Sequence, residues 1–486
     1  MANIIMPFIL KYADHIYLLY PNQLDEYENV KILRIKDSLI PLYKLSEHEL
    51  TTREKEIKDR IVEGVKERIL KYVDRSDLTM EGKEEIKNKI MGMLRPFKLH
   101  VDVKRLIAEK IVQETVGYGI IDPLLSDANL EEVMISGIEL PVFVVHRKYG
   151  TCITNVRFRN KEELMGFISH ISTIIGKEVN YMNPILDGRL PDKKRINIVI
   201  PPVALDGPLV TIRQFLSEPM SIVDLIKNKT FSVELAAFLW LCIDGVNIKP
   251  SNLLIVGGAA SGKTTTLNSL LSFIPETERI ITIEDTEELL PLHKNRARME
   301  THLMGKKRPI DMDLLAKCAL RMRPDRIIIG EVRGSEAKSL FIAMNTGHDG
   351  SMGTIHANSA EDAITRLLSP PMEVPESLLS VLDLIIVQKR FFNVKEGIYR
   401  RIAEVCELSM ENGKVKLDRI FKWDSKNDNI VFFMEKSKLF KNYADIINSS
   451  GIDFKELMER RLRVIKQLVD MNAGSRRVYK AIREER

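Results

Sequence analysis

Apolar residues recur along this chain with more than one rhythm, and the changes of rhythm divide it. Residues 1 to about 44 read as short strands and turns. From Glu47 to Val73 the period lengthens, with Ile57, Ile61, Val65 and Ile69 at four-residue intervals and charge between them, which predicts an amphipathic helix. Further helices are predicted from Thr79 to Met93, ending before Pro96, and from Val101 to Thr115, ending near Gly117. Amphipathic helices joined by short breaks predict a small helical bundle within residues 1–117, serving as a docking module or as a structural cap.

Past Gly117-Tyr118-Gly119 the pattern shortens again. Val142–His146 and Thr151–Thr154 read as strands around a turn at Lys148-Tyr149-Gly150, and Arg195–Pro202 pairs with Leu209–Arg213 around Asp206-Gly207-Pro208. Residues 118–214 are therefore expected to form a small α+β domain, with 215–221 as a hinge. A helix is predicted from Val233 to Asp244, then a wholly apolar strand at Leu253–Val256. Ile280–Ile283 and Arg326–Ile329 are strands of the same kind, ending at Glu284-Asp285 and Gly330-Glu331. Continuous apolar strands alternating with helices predict a parallel sheet, whose ligands sit at the carboxyl ends of its strands.

Composition narrows the classes. The chain has 486 residues, 44% hydrophobic and 29% charged, which describes several globular domains rather than a disordered or fibrous chain. Its formal net charge of +5 is too small for its length to imply nucleic acid. Cys152, Cys242, Cys318 and Cys406 lie far apart, which suggests reduced cytosolic thiols and argues against a tetracysteine zinc site. The opening apolar stretch is short, broken by Pro7 and not preceded by basic residues, a poor signal peptide. No run approaches the roughly 20 apolar residues of a membrane span, so a membrane role is expected to be peripheral or through a partner.

The densest chemistry follows the Leu253–Val256 strand. Gly257-Gly258-Ala259-Ala260-Ser261-Gly262-Lys263-Thr264-Thr265 fits the phosphate-loop pattern, with a strand before it and a helix after. Glycines let backbone N–H groups wrap a phosphate, and a helix N-terminus adds partial positive charge. Lys263 can reach the β- and γ-phosphates, and the Thr264 hydroxyl can ligate Mg²⁺. Glu331 is expected to support Mg²⁺ directly or through water; Glu284, with Asp285 a near equal, is the candidate for polarising the attacking water. Each acid could instead cap the helix that follows. His356, after Gly353-Thr354-Ile355, can donate to a phosphate oxygen or be structural. Arginines suited to charge on a transferring phosphoryl group are Arg189, Arg195, Arg213, Arg298, Arg321 and Arg323.

These segments together resemble the secretion ATPase superfamily of type II and type IV secretion and type IV pilus motors. The resemblance rests on the phosphate loop at 257–264, the acidic box Ile283-Glu284-Asp285-Thr286-Glu287-Glu288-Leu289, the segment Leu320–Gly334 around Ile327-Ile328-Ile329-Gly330-Glu331, and Gly347–Ala357 around His356. Asn183–Asp192 and Thr211-Ile212-Arg213-Gln214-Phe215 match as well, so it covers about 118–435. It implies a RecA-like P-loop ATPase domain at 222–435, a PAS-like α+β domain before it, and a basic helical tail at 436–486. It further implies ATP and Mg²⁺, a homohexameric ring, and a polytopic membrane platform protein as partner at the inner face of the cell membrane. Lys263 and Thr264 would bind phosphate and Mg²⁺, Glu284 would be the base, His356 would sense the γ-phosphate, and Arg195 and Arg213 would close the site. The chain lacks the tetracysteine module that many bacterial members carry after the histidine segment. Arg321-Met322-Arg323-Pro324-Asp325 and Ile420–Asp424 are more similar to the archaeal branch, which includes archaellum and pilus motors. The basic end can attract anionic lipid or an acidic loop of the platform, or pack on its own domain. The competing class is a nucleic-acid-translocating RecA-like motor. Against it stand the modest charge and the absence of aromatics interleaved with a basic groove pattern, so no nucleic acid is expected.

Overall fold

A computed structural model describes residues 22–485 except 36–37, 39, 47–49, 69–79, 215–218, 303–308, 394–396, 450 and 452. The predicted strands before residue 22, both ends of the Glu47–Val73 helix and residues 215–218 of the hinge lie outside the described residues. The chain divides into two compact units, Met1–Phe215 and Leu216–Arg486.

In the first unit β1 (Asn22–Tyr27), β2 (Val30–Arg34) and β3 (Leu42–Leu45) precede helices α1 (Thr52–Arg68), α2 (Met80–Met93), α3 (Val101–Thr115) and α4 (Asp122–Ser126). Next come β4 (Leu130–Ile135), β5 (Pro141–His146), β6 (Gly150–Arg157), α5 (Lys161–Ile175), β7 (Ile185–Arg189), β8 (Arg195–Val199) and β9 (Leu209–Arg213). The strands form one sheet in the order β1-β2-β3-β6-β5-β4-β9-β8-β7. This corrects the expectation of a helical region at 1–117 standing apart from a small α+β domain. β3 joins β6 in parallel, Leu42 opposite Ile153 and Tyr43 opposite Thr154. The hydroxyls of Tyr27 and Tyr43 both donate to Asp127 Oδ2, each at 2.7 Å. Ile86, Ile90 and Leu94 beside α2, and Ile107 and Ile111 of α3, share one core with Val133, Val144, Ile196 and Ile212 of the sheet. The helices pack on one another and share that core with the sheet.

The second unit runs α6 (Ile222–Lys227), α7 (Val233–Asp244), β10 (Leu253–Val256), α8 (Lys263–Leu270), β11 (Ile280–Glu284), β12 (Arg296–Glu300), α9 (Met312–Ala319), β13 (Arg326–Val332), α10 (Glu336–Asn345), β14 (Met352–Ile355) and α11 (Ala360–Leu368). It continues with β15 (Leu384–Asn393), β16 (Gly397–Glu411), β17 (Lys414–Asp424), β18 (Asn429–Phe432), α12 (Lys438–Ser449), α13 (Phe454–Asp470) and α14 (Ser475–Glu484). Its sheet has the order β12-β11-β13-β14-β10-β15-β16-β17-β18, parallel from β12 to β15 and antiparallel thereafter. This is a RecA-like α/β layer. Ile255, Ile280, Ile328 and Leu384 face a core built with α7, while Val256, Ile283, Ile329 and Val387 face α9, α10 and α11. Burial on both faces explains why these strands read as unbroken apolar runs.

The C-terminal helices pack on their own unit, one of the two readings given for the basic end. Val464, Ile465, Leu468, Val478 and Ile482 are buried in the core that contains α7. Arg461 is 5% exposed; its Nη2 donates to Asp244 Oδ2 at 3.0 Å and its guanidinium lies 4.8 Å from the Trp240 ring centre. A guanidinium taken out of water needs such partners. Among the described residues, no helix is long and apolar enough to cross a membrane.

Candidate functional site

Four neighbouring strands bring the chemistry to one edge of the second sheet. In spatial order β11, β13, β14 and β10 end at Glu284, just past Glu331, just before His356, and at the glycine-rich loop. The strands are parallel and in register, Ile283 opposite Ile329 and Val256 opposite Ile355, so these residues share the carboxyl edge. Residues far apart in sequence thus meet because a parallel sheet presents all its strand ends on one side.

The loop takes its shape from two left-handed residues, Ala260 at φ 54° and Gly262 at φ 94°. Glycine is free to adopt that region and leads into α8, whose first residue is Lys263. Lys263 is only 7% exposed, and its Nζ donates to Gly258 O at 2.9 Å. Burial pulls its ammonium below the usual lysine range, with the Glu331 carboxylate opposing. Behind the loop, Thr266 Oγ1 donates to Gln388 Oε1 of β15 at 2.7 Å, and Arg400 Nε of β16 donates to Ala260 O at 3.1 Å. Gln388 and Arg400 escaped the sequence reading, since no local pattern marks a strand that backs a loop more than a hundred residues away.

Lys263, His356 and Glu331 come together. His356 Nδ1 lies 3.5 Å from Lys263 Nζ, and its Nε2 lies 2.9 Å from Glu331 Oε1. Burial and the neighbouring ammonium hold the imidazole below its ordinary pKa, Glu331 opposing, so it is neutral near pH 7. Burial would raise the Glu331 carboxyl, yet Arg333, His356 and Lys263 together hold it below the usual carboxylate range. The second Glu331 oxygen is bound by Arg333 Nη2. Arg333 was not singled out from the sequence, although Glu331 and Arg333, two apart at a strand end, fall on one face.

Glu284 is placed one strand further out. It is 3% exposed, and its Oε1 accepts N–H groups of Glu288 and Leu289 at 2.9 and 3.0 Å. Burial pushes its pKa up to about 7. Gly330 makes this possible, since a Cβ there would stand 2.8 Å from Glu284 Cγ. Asp285 is exposed by comparison, 3.8 Å from Arg333 Nη1 and 3.3 Å from Thr301 Oγ1. Arg298 is engaged by Glu287. Arg195 and Arg213 belong to the first unit, where they face each other across β8 and β9; Arg189 continues the row on β7. Arg213 Nε is 3.7 Å from Glu132 Oε1.

The donor set fits Mg²⁺ in one respect that the geometry tests. Glu331 Oε1 is a buried oxygen with no aligned hydrogen bond. Among the described residues no cluster of three or more His, Cys, Asp or Glu could hold a metal alone. A cation that takes one or two protein oxygens and fills its sphere with water and substrate phosphates suits such a site. Thr264, half-buried and second in α8, places a hydroxyl in the first turn of that helix.

The family model for Type II/IV secretion system protein matches residues 114–447, more than half of the chain. The chain belongs to this family. Among its relatives, an uncharacterized protein of Methanocaldococcus jannaschii is 45% identical over 238 residues, 48% of this chain and 33% of its own length. A second from the same organism is 34% identical over 368 residues, 74% of this chain and 65% of its own. The chain therefore spans a third to just under two thirds of these curated relatives. The type IV secretion system protein VirB11 of Bartonella henselae is 32% identical over 57% of this chain and 90% of its own length. The matched span includes the phosphate loop, both acidic strand ends and His356.

Proposed function

We propose that the chain is a Mg²⁺-dependent ATPase that powers assembly of a pilus-like filament, archaellum or pilus, or type II-like secretion. The observation that carries this reading is the contact series from Lys263 through His356 to Glu331 at one sheet edge. It joins a phosphate-binding lysine, a neutral imidazole and a charged carboxylate within reach of one triphosphate. Backbone N–H groups of residues 258–263 and Lys263 hold the phosphates; Glu331 and Thr264 hold Mg²⁺, which neutralises charge on the phosphates when bound. Glu284, with a pKa raised to about 7, is suited to accept a proton from the attacking water, directly or through a second water. Arg195 and Arg213 supply closing positive charge. Membership in the secretion family supports a homohexamer acting on a polytopic membrane platform at the inner face of the cell membrane, with peripheral contact to anionic lipid.

The test is Mg²⁺-dependent phosphate release by the purified chain, with Lys263→Ala as control. Turnover that requires Lys263 and rises with anionic vesicles or platform protein supports the motor. Stimulation by single-stranded DNA, with indifference to lipid, would replace it with a nucleic-acid translocase.

A further inference from the structure

The carboxylates of two different strand ends meet at one guanidinium. Arg333 Nη2 binds Glu331 Oε2, and Nη1 stands 3.8 Å from Asp285 Oδ2. Arg333 holds this place because its turn is built. Glu336, 6% exposed, accepts the backbone N–H of Arg333 and, at 2.7 Å, that of Gly334. A Cβ on Gly334 would approach Glu336 Oε2 to 3.1 Å. The turn after β13 is thus pinned while the Arg333 side chain stays 63% exposed. The result is a line of polar side chains across the sheet edge, Lys263, His356, Glu331, Arg333 and Asp285, with opposite charges side by side from Glu331 through Arg333 to Asp285.

We propose that Arg333 is a cationic latch on Glu331, occupying the carboxylate that a divalent cation takes when nucleotide binds. The inference rests on the nucleotide reading of this site. Both cations draw on the one Glu331 carboxylate, and a guanidinium two residues away is always in reach, so it competes intramolecularly with the metal. Arrival of the metal releases Arg333 toward Asp285 or the phosphates, linking metal capture to the acidic box. Arg333 is a positioning residue: in its latched state it sets which way the Glu331 carboxylate is turned.

The test uses Mn²⁺ as probe, its free signal followed by electron paramagnetic resonance in the presence of full-length protein and ADP. Arg333→Gln should tighten Mn²⁺ binding about two- to fivefold, the range of an exposed ion pair. Arg333→Lys, which keeps the charge, should stay near wild type. In a Glu331→Gln background, Arg333→Gln should have no effect. Unchanged or weaker Mn²⁺ binding in Arg333→Gln overturns the latch, as does an effect that persists without the Glu331 charge. Wild-type protein that binds no Mn²⁺ with ADP would remove the nucleotide reading and the latch together. Normal wild-type binding that is insensitive to residue 333 removes only the latch.

Discussion

Glu284→Gln separates catalysis from stability in one variant. In the folded protein burial lifts this carboxyl from 4.5 to about 7, so it is harder to ionise folded than unfolded. The stability it leaves intact is fullest below pH 4.5 and is lost as pH rises through 7. Summed over the two titrations, ionisation removes about 1 kcal/mol at pH 5 and about 3 kcal/mol at pH 8. Glutamine keeps an oxygen for the Glu288 and Leu289 N–H groups but cannot ionise. Its stability relative to wild type should therefore rise by about 2 kcal/mol between pH 5 and pH 8. In urea this is a relative midpoint shift of about 1 M, with a slope of roughly 2.5 kcal/mol/M. The assay is favourable because both tryptophans, Trp240 and Trp423, lie in the second unit, so their fluorescence reports its unfolding alone. The same variant should bind ATP and fail to turn it over. A stability difference that does not change with pH, or that is larger at pH 5, refutes the account of a buried, ionising carboxyl.

Other outcomes follow from named contacts. Glu331→Gln should retain nucleotide, measured by fluorescent ADP titration, and lose phosphate release by at least a hundredfold; near-normal turnover removes it from the metal role. Asp244→Ala removes the carboxylate that Arg461 Nη2 contacts and should cost about 1.5–3 kcal/mol in tryptophan-monitored unfolding, whereas an exposed tail would cost almost nothing. Gly330→Ala should cost about 1–3 kcal/mol and displace Glu284, read as loss of turnover with nucleotide binding kept.

The parts that were legible in sequence are those whose chemistry is local. The loop after β10 announces itself because a left-handed turn into a helix needs glycine at Gly262, and doubly buried strands need unbroken apolar runs. Acids and an imidazole at the ends of such strands then fall on one edge by the rules of parallel sheets. What escaped depends on pairing over long separations. β3 enters the sheet beside β6, with more than a hundred residues between them, and the short apolar run of Leu42–Leu45 carries no sign of that partner. The amphipathic pattern of α13 reads the same whether its apolar face meets lipid or protein; the buried contact between Arg461 and Asp244 decides it. Arg333 was hidden for another reason: its neighbours Glu331 and Asp285 come from two strands, and only their adjacency makes the arginine a bridge.

Gln388 has a mechanical consequence. From the middle of β15 it accepts from Thr266 behind the phosphate loop, and the neighbouring strand β16 carries Glu407. Glu407 in turn accepts the N–H groups of Lys438 and Leu439 at the start of α12. Backbone and close-packed cores yield little under load. A shift of the loop on phosphate binding therefore has a stiff route to the C-terminal helices, as a rod passes a push from one bearing to the next.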